Sequence, residues 1–436
     1  MDIRDLIEQK KKGLHLTREE IGLIIYGYSK GEINDSRMIE FMKAINTSNF
    51  SFEETYYLAD AIAKTGTFLK IGERVGEIVV DKHSAGSYSD STTLIFISVL
   101  AALGVKTVKV LSDKFGLYGT SLDRLSIFKH FNAKVSPTKL VNIINEVGAG
   151  VLEERGEFSK VDSRMYELRL KYGIKSEPLI AASIVAKKIA TGSDIVIYDV
   201  KSGEGAIFPS DEFAITLATY LVNASNLAGM KTASVVTDLN QPLGAGIGAR
   251  TEVEETISVL RSERTLYDAN LLAVSKELVI MALLLTGKAN GRADASSMFD
   301  QVIKSGKALD KFREILAAYG GVYEDFKHTP DRLLDGVAIS YLTAKESGYI
   351  ADVNISKIIN SYAILLNSNG KKKDLTAGYQ LMVREGSKVN EGDKLVRIFY
   401  SINNTSFQKA YIELSRSIYI TKNKQQSKKV FHKLIM

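Results

Sequence analysis

Lysine, histidine and serine stand side by side in a stretch of small residues, Asp81-Lys82-His83-Ser84-Ala85-Gly86-Ser87-Tyr88-Ser89-Asp90, between an apolar run and an apolar helix. Small residues let the backbone approach an anion, and a helix N-terminus supplies free N–H groups. Lys82 adds a full charge, while Ser84 and Thr93 add hydroxyl donors. The stretch predicts a phosphate-binding loop. The alternative is an ordinary strand-to-helix turn with a surface lysine.

A second polar segment, 112–125, also follows an apolar run and precedes a helix. Loops at the carboxyl ends of neighbouring parallel strands face the same crevice. Ser112, Thr120 and Ser121 are therefore candidate donors to the same ligand. The alternative is that Ser121 only caps the next helix.

A third group combines Arg169 with Ser183 and Lys187. Ser183 and Lys187 are four residues apart, which places them on one face of a helix. A cation and a hydroxyl on one face are suited to the carbonyls and ring nitrogen of a pyrimidine. A solvated helix face is the alternative for these residues.

Asp199 and Lys201 come at the end of a further apolar run, before a glycine-rich turn. We interpret them as an ion pair that shapes a cleft, and leave a catalytic role open beside the structural one. The five histidines have no metal-ligand spacing, so no zinc site is expected.

The positions of these residues depend on a sheet. Apolar runs at 77–80, 105–111, 194–200 and 232–237 are predicted strands, and 94–103 is a predicted helix. Strands that alternate with helices build parallel sheets. Before them, Thr17 with Glu20 and Ser51 with Glu54 form predicted capping boxes of helices.

We expect an α/β fold with a small all-α domain, in which a mostly parallel sheet is flanked by helices, plus a C-terminal α+β domain. The helical domain covers 1–65 and is joined by about 160–190. The α/β domain covers 66–159 and 191–345. Residues 346–436 contain two short strands around a turn and resemble the barrel-sandwich hammerhead of biotinyl and lipoyl domains, without a carrier lysine.

Composition excludes several classes of protein. The 436 residues include no cysteine, so neither disulfides nor thiolate metal sites form. The first residues are charged where a signal peptide is apolar, and the most apolar stretch is too short to cross a membrane, so a cytoplasmic location is expected. The net charge of +6 lies largely in terminal lysines, which favours a solvated surface over nucleic-acid binding.

Together, these segments resemble the pyrimidine-nucleoside and thymidine phosphorylase family. The family signature K-H-S-T-G-G-V-G-D is similar to residues 82–90, and S-I-P-L-I-x-x-S-I-x-x-K-K is similar to 176–188. The D-V-K-x-G-x-G-A-F segment is similar to 199–207, and the run at 241–244 reads Gln-Pro-Leu-Gly. The N-terminal Lys-Lys-x-Gly-x-x-Leu-Thr-x-Glu-Glu-Ile stretch and the 385–393 turn also match. The resemblance covers nearly the whole chain in collinear order.

The resemblance implies phosphorolysis of uridine, thymidine or deoxyuridine, in a cleft between the helical and α/β domains of a homodimer. It implies that Lys82, Ser84, Thr93 and Ser121 bind phosphate, with Ser112 as a further donor. It also implies that His83, Arg169, Ser183 and Lys187 hold the pyrimidine. No cofactor is required beyond phosphate as co-substrate. A potassium ion is implied as well, with Glu255 as a candidate ligand.

The chain departs from the family pattern in the site segments. Ala85 replaces the signature threonine, serines replace two glycines at 87 and 89, and Tyr88 replaces valine. After Arg169 the usual R-D-x-T-A-T-V becomes Arg-Leu-Lys-Tyr-Gly-Ile-Lys. Two functions therefore stay open: an active phosphorylase, and a catalytically impaired homologue that acts in nucleoside or phosphate binding or in assembly.

Overall fold

The structure is a computed structural model, and it describes residues 2–86, 91–111, 120–154, 160–263, 267–323, 336–368, 370, 373–424 and 431–436. Within these ranges, no helix has the length and apolarity that crossing a membrane requires. The elements form three groups: a helical bundle, a sheet covered by helices, and a set of antiparallel strands.

The helical bundle is built from two separate stretches of chain. Its helices are α1 (Ile3–Lys11), α2 (Arg18–Ser29), α3 (Asp35–Ser48), α4 (Phe52–Lys64), and later α9 (Lys160–Lys171) and α10 (Glu177–Thr191). Helix α10 packs against α4, and α9 packs against α2 and α3. Both predicted capping boxes are confirmed, at the first turns of α2 and α4. The two later helices carry the third group of candidate residues.

A six-stranded sheet forms the centre of the molecule. Its strands lie in the order β13-β5-β4-β1-β2-β3, in which β13 spans Phe431–Ile435. The first five strands along the chain are parallel, which confirms the α/β fold class. Their bounds are β1 (Val79–Ala85), β2 (Lys106–Leu111), β3 (Ala149–Glu153), β4 (Ile195–Ser202) and β5 (Lys231–Asp238).

Helices cover both faces of this sheet. Ile195 and Ile197 of β4 belong to one hydrophobic cluster, whereas Val196, Tyr198 and Val200 belong to another. Such alternation follows from the two-residue period of a strand. The second cluster contains α10 and α11 (Asp211–Leu227). The remaining helices are α5 (Ile71–Val75), α6 (Ser91–Ala102), α7 (Ser121–Leu125), α8 (Pro137–Val147), α12 (Ala249–Leu260), α13 (Asp268–Leu285), α14 (Arg292–Lys304) and α15 (Lys307–Ala318).

The C-terminal part contains two antiparallel sheets, ordered β6-β9-β11-β7 and β10-β8-β12. Their strands are β6 (Gly246–Ile247), β7 (Val337–Thr343), β8 (Gly348–Val353), β9 (Gly378–Leu381), β10 (Lys388–Val389), β11 (Lys394–Ser401) and β12 (Ile418–Thr421). The helices α16 (Ile355–Leu366) and α17 (Phe407–Leu414) pack against each other beside them.

Two observations differ from the expected boundaries. Strands β6 and β7 lie before residue 346 but pair within the C-terminal sheets, and β13 (Phe431–Ile435) leaves that part to pair antiparallel with β5. The first strand also extends to Ala85, whereas the sequence predicted an end at residue 80. The second half of β1 contains the buried charged residues Asp81 and Lys82. Because these residues are polar, the apolar run that predicts a strand ends before them.

Glu54 holds the bundle together at its base. Its carboxylate accepts hydrogen bonds from Lys10 Nζ at 3.0 Å, from the amide of Leu16 at 2.8 Å and from the amide of Ser51 at 2.8 Å. The Lys10 and Glu54 side chains are each 2% exposed. One carboxylate thus joins α1, the loop after it and the start of α4.

We predict that Glu54→Ala lowers the stability of the bundle by about 3–5 kcal/mol, because it leaves a buried lysine without its partner. Thermal unfolding, together with hydrogen exchange of residues 3–64, measures the effect. Glu53→Ala is the matched control, since Glu53 is exposed on the same turn of α4. Equal melting temperatures for the two variants would contradict the role of Glu54.

Candidate active site

A cavity of about 350 Å³ opens at the carboxyl ends of β1 and β2 and is closed on its other side by α9 and α10. Its volume is in the range of sites for small ligands. Among the described residues, six cationic side chains line it against one acidic side chain, that of Glu154. The cations are Lys109, Arg124, Arg169, Lys175, Lys187 and Lys188. Such a surface favours a ligand that carries, or develops, negative charge.

His83 and Ser84 line the cavity from β1, but Lys82 does not. The Lys82 side chain points beneath the cavity and is fully buried. Its Nζ lies 3.1 Å from Asp199 Oδ2 and donates to the hydroxyls of Thr92 at 2.7 Å and Ser84. The expectation of a lysine exposed on a loop is therefore wrong for this residue.

Thr93 belongs to the same buried network. Its hydroxyl accepts a hydrogen bond from Lys82 Nζ at 3.1 Å, and the residue is 1% exposed. Asp199 Oδ1 also pairs with Lys201 Nζ at 2.5 Å, which confirms the ion pair inferred from sequence. The three charged groups are completely buried, so removing Lys82 would destabilise the fold as well as the site.

Asp81, the residue before Lys82 on β1, joins the sheet to the helical bundle through an ion pair. Lys188 Nζ of α10 lies 2.7 Å from Asp81 Oδ2, and both side chains are buried. Lys187, the residue before it, lines the cavity. The ion pair therefore sets the position of the α10 face that carries Lys187.

Arg169, Ser183 and Lys187 share the helical wall of the cavity. Lys187 Nζ lies 3.6 Å from Glu154 Oε2, just after β3, and 3.6 Å from Asp162 Oδ2 on α9. Burial lowers the pKa of Lys187, but Asp162 and Glu154 outweigh it, so the net pKa of Lys187 is raised. Lys187 is consequently a fixed cation.

Arg169 is held differently. It is 9% exposed, forms no ion pair with the described residues, and its Nε has no hydrogen-bond partner among them. Burial lowers the pKa of Arg169 below its usual value, with Asp162 opposing the shift. The guanidinium is therefore a cation in the cavity wall whose hydrogen-bonding capacity is not used up by the protein.

Asp162, Tyr166 and Arg169 lie on one face of α9, at the i, i+4 and i+7 positions of a helix. Of these three residues, only Arg169 was predicted from the sequence to belong to the site. The spacing was present in the sequence, and together with the predicted helix it could have identified Asp162 and Tyr166 as neighbours of the site.

Helix α7 also contributes to the lining of the cavity. Thr120 caps this helix, because its side chain accepts from the Asp123 amide, and Ser121 is the first helical residue. The proposal that Ser121 is the cap is therefore corrected, and Ser121 lines the cavity. Arg124 is anchored by Glu252 of α12, with Nη2 and Oε2 2.6 Å apart. Ser112 and residues 87–90 lie outside the described residues.

Glu255 lies on α12, away from the lining of the cavity. Its carboxylate accepts hydrogen bonds from the amides of Ala245 at 2.6 Å and Gly246 at 3.1 Å. These bonds account for its burial, and the potassium ion stays a prediction. In the described ranges, no group of three or more acidic or histidine side chains is arranged to hold a metal ion.

Comparison with known proteins identifies the group to which this chain is similar. The glycosyl transferase family α/β domain matches residues 76–309, and the helical bundle domain of the same family matches 4–66. Anthranilate phosphoribosyltransferase from Thermus thermophilus has the same fold, with a TM-score of 0.57 and 16% identity over 74% of this chain and 100% of that chain.

Curated relatives are more similar in sequence. The pyrimidine-nucleoside phosphorylase of Geobacillus stearothermophilus is 34% identical, over 92% of each chain. Those of Staphylococcus epidermidis and Bacillus subtilis are 31% and 32% identical, over 100% and 93% of each chain. On the strength of these matches along its full length, the chain belongs to the pyrimidine-nucleoside phosphorylase family of glycosyl transferases.

Proposed function

We propose that this protein is a pentosyltransferase that uses inorganic phosphate to split pyrimidine nucleosides into a free base and a pentose 1-phosphate. The observation that carries the proposal is the cationic cavity between two walls, with hydroxyl donors on both. Uridine, thymidine and deoxyuridine are the proposed substrates. The homodimer and the potassium ion are part of the same proposal.

The helical wall is the proposed site of the base. Arg169 and Lys187 donate to the carbonyl oxygens and the ring nitrogen of the pyrimidine, and Ser183 donates from the same face of α10. When the glycosidic bond breaks, the base takes the bonding electron pair and becomes anionic. Two fixed cations stabilise that charge more strongly in the transition state than in the bound nucleoside. His83, on the opposite wall, completes the base site.

Ser84 and Ser121 are the proposed direct donors to phosphate, since both line the cavity. Lys82 and Thr93 act from beneath: Lys82 Nζ donates to Ser84, which orients the hydroxyl. A phosphate oxygen attacks C1′ of the pentose while the C1′–N1 bond breaks. The departing base then takes up a proton from phosphate or water. Holding both reactants in line is the main contribution of the protein to this step.

We predict that base release from uridine or thymidine requires phosphate or arsenate. Chromatographic detection of uracil and thymine, with and without each oxyanion, measures this. Equal release without an oxyanion would indicate a hydrolase. Binding of uracil and phosphate without any turnover would instead support the catalytically impaired homologue.

We also predict that Arg169→Met and Lys187→Met each lower kcat by about a hundredfold or more, because each removes a preorganised charge. Their stabilities should differ. Arg169 has no ion-pair partner among the described residues, so its loss leaves the melting temperature unchanged or higher. Loss of Lys187 leaves Glu154 and Asp162 without their cation, so the melting temperature of Lys187→Met should be lower than that of the wild type.

Lys171→Met is the matched control, since Lys171 is exposed on the same helix as Arg169. It should retain the wild-type kcat and melting temperature. Wild-type turnover in Arg169→Met would exclude the proposed base site. A raised melting temperature in Lys187→Met would contradict the ion pairs of Lys187 with Glu154 and Asp162.

A further inference from the structure

Lys373, which lies between α16 and β9, contacts α7, a helix that contributes to the lining of the cavity. Its Nζ lies 2.8 Å from Asp123 Oδ2 of α7. The two side chains are 26% and 18% exposed, so the pair is partly shielded from water. Lys373 lies outside both segments matched by the glycosyl transferase family, 4–66 and 76–309.

The segment that carries Lys373 is itself firmly held. Asp374 Oδ2 accepts hydrogen bonds from the amide of Ser401 at 3.0 Å and from Asn404 Nδ2 at 2.9 Å, and the amide of Asp374 donates to Leu366 at 2.7 Å. The C-terminal sheet that includes β9 is joined through β6 to the start of α12. Lys373 therefore extends from a rigid base.

Asp123 transmits this contact to the cavity. The same Oδ2 atom accepts hydrogen bonds from the amide of Thr120 at 2.7 Å and from its hydroxyl at 3.3 Å, and the Thr120 hydroxyl accepts from the Asp123 amide at 3.2 Å. Thr120 and Ser121 both line the cavity. Lys373 thus holds the carboxylate of Asp123, and that carboxylate in turn positions Thr120 at the cavity.

Helix α7 needs such external contacts. It has five residues, too few for its internal hydrogen bonds to stabilise it alone. One such contact is the ion pair between Arg124 and Glu252 of α12. The other is the ion pair between Asp123 and Lys373, which lies in a different part of the chain.

We infer that Lys373 is a positioning residue for the phosphate side of the cavity, acting through Asp123 on Thr120 and Ser121. The inference rests on the proposed function, because phosphate is the ligand assigned to Ser121. The C-terminal part then has a role in substrate binding although it contributes no side chain among the described residues that line the cavity.

The test is steady-state kinetics of Lys373→Met with phosphate and nucleoside varied in turn. The KM for phosphate should rise by about twofold to fivefold, as expected for loss of a partly exposed ion pair. The KM for the nucleoside and the melting temperature should stay close to wild type. Lys373→Arg, which keeps the charge, should restore the KM for phosphate.

Two further variants separate positioning from general loosening of the C-terminal part. Lys357→Met is the matched control, because the Lys357 ammonium group donates hydrogen bonds to Arg416 and Tyr419, both within the C-terminal part. This variant should leave both KM values unchanged. In an Asp123→Asn background, Lys373→Met should have little additional effect, because the two residues act through one contact.

The inference is overturned if Lys373→Met keeps the wild-type KM for phosphate, if both KM values rise together, or if its effect persists in full beside Asp123→Asn. Wild-type protein that shows no phosphorolysis would defeat the proposed function separately. In that event, calorimetric titration with inorganic phosphate decides the matter: weaker binding by Lys373→Met than by Lys357→Met supports the positioning role, and equal binding excludes it.

Discussion

The carboxylate of Asp199 neutralises two lysines beneath the cavity, and the floor of the cavity depends on this contact. Lys82 and Lys201 approach its two oxygens at 3.1 Å and 2.5 Å, and all three side chains are buried. Buried ions lose several kcal/mol of hydration each, so such a cluster persists only when the charges are paired. The pairing allows β1 to carry a lysine through the centre of a parallel sheet. His83 and Ser84 are thereby presented at the end of that strand.

Ion pairing also compensates most of the cations in the helical wall, but it leaves one buried cation without a carboxylate partner among the described residues. Asp81 pairs with Lys188, and Asp162 and Glu154 flank Lys187, so most of the cations on α10 are compensated. Arg169 is a buried cation of that wall with which no carboxylate of the described residues pairs. A cavity of this kind tolerates a neutral nucleoside and favours the anionic base that forms from it, which is the property that phosphorolysis requires.

The sequence was most informative where the signal was local. The capping boxes at Thr17 and Ser51 and the shared face of Ser183 and Lys187 follow from spacings of three or four residues. The partners of Lys82 could not be predicted in this way. Asp199 is separated from Lys82 by more than a hundred residues. Without knowledge of such distant partners, the charged residues at 81–83 predict a loop rather than a buried strand. Strand β1 was therefore predicted too short. Of the predicted site residues, His83, Ser84, Ser121, Arg169, Ser183 and Lys187 line the cavity, whereas Lys82 and Thr93 lie beneath it.

Base and phosphate are proposed to occupy opposite walls of this cavity, and a crystal structure of the protein with uracil and phosphate tests this arrangement most directly. We expect electron density for uracil in contact with Arg169, Ser183 and Lys187. We expect phosphate against Ser84 and Ser121, with Lys82 remaining paired to Asp199 beneath. Uracil bound outside the cavity, or phosphate bound on the α9 and α10 wall, would contradict this arrangement.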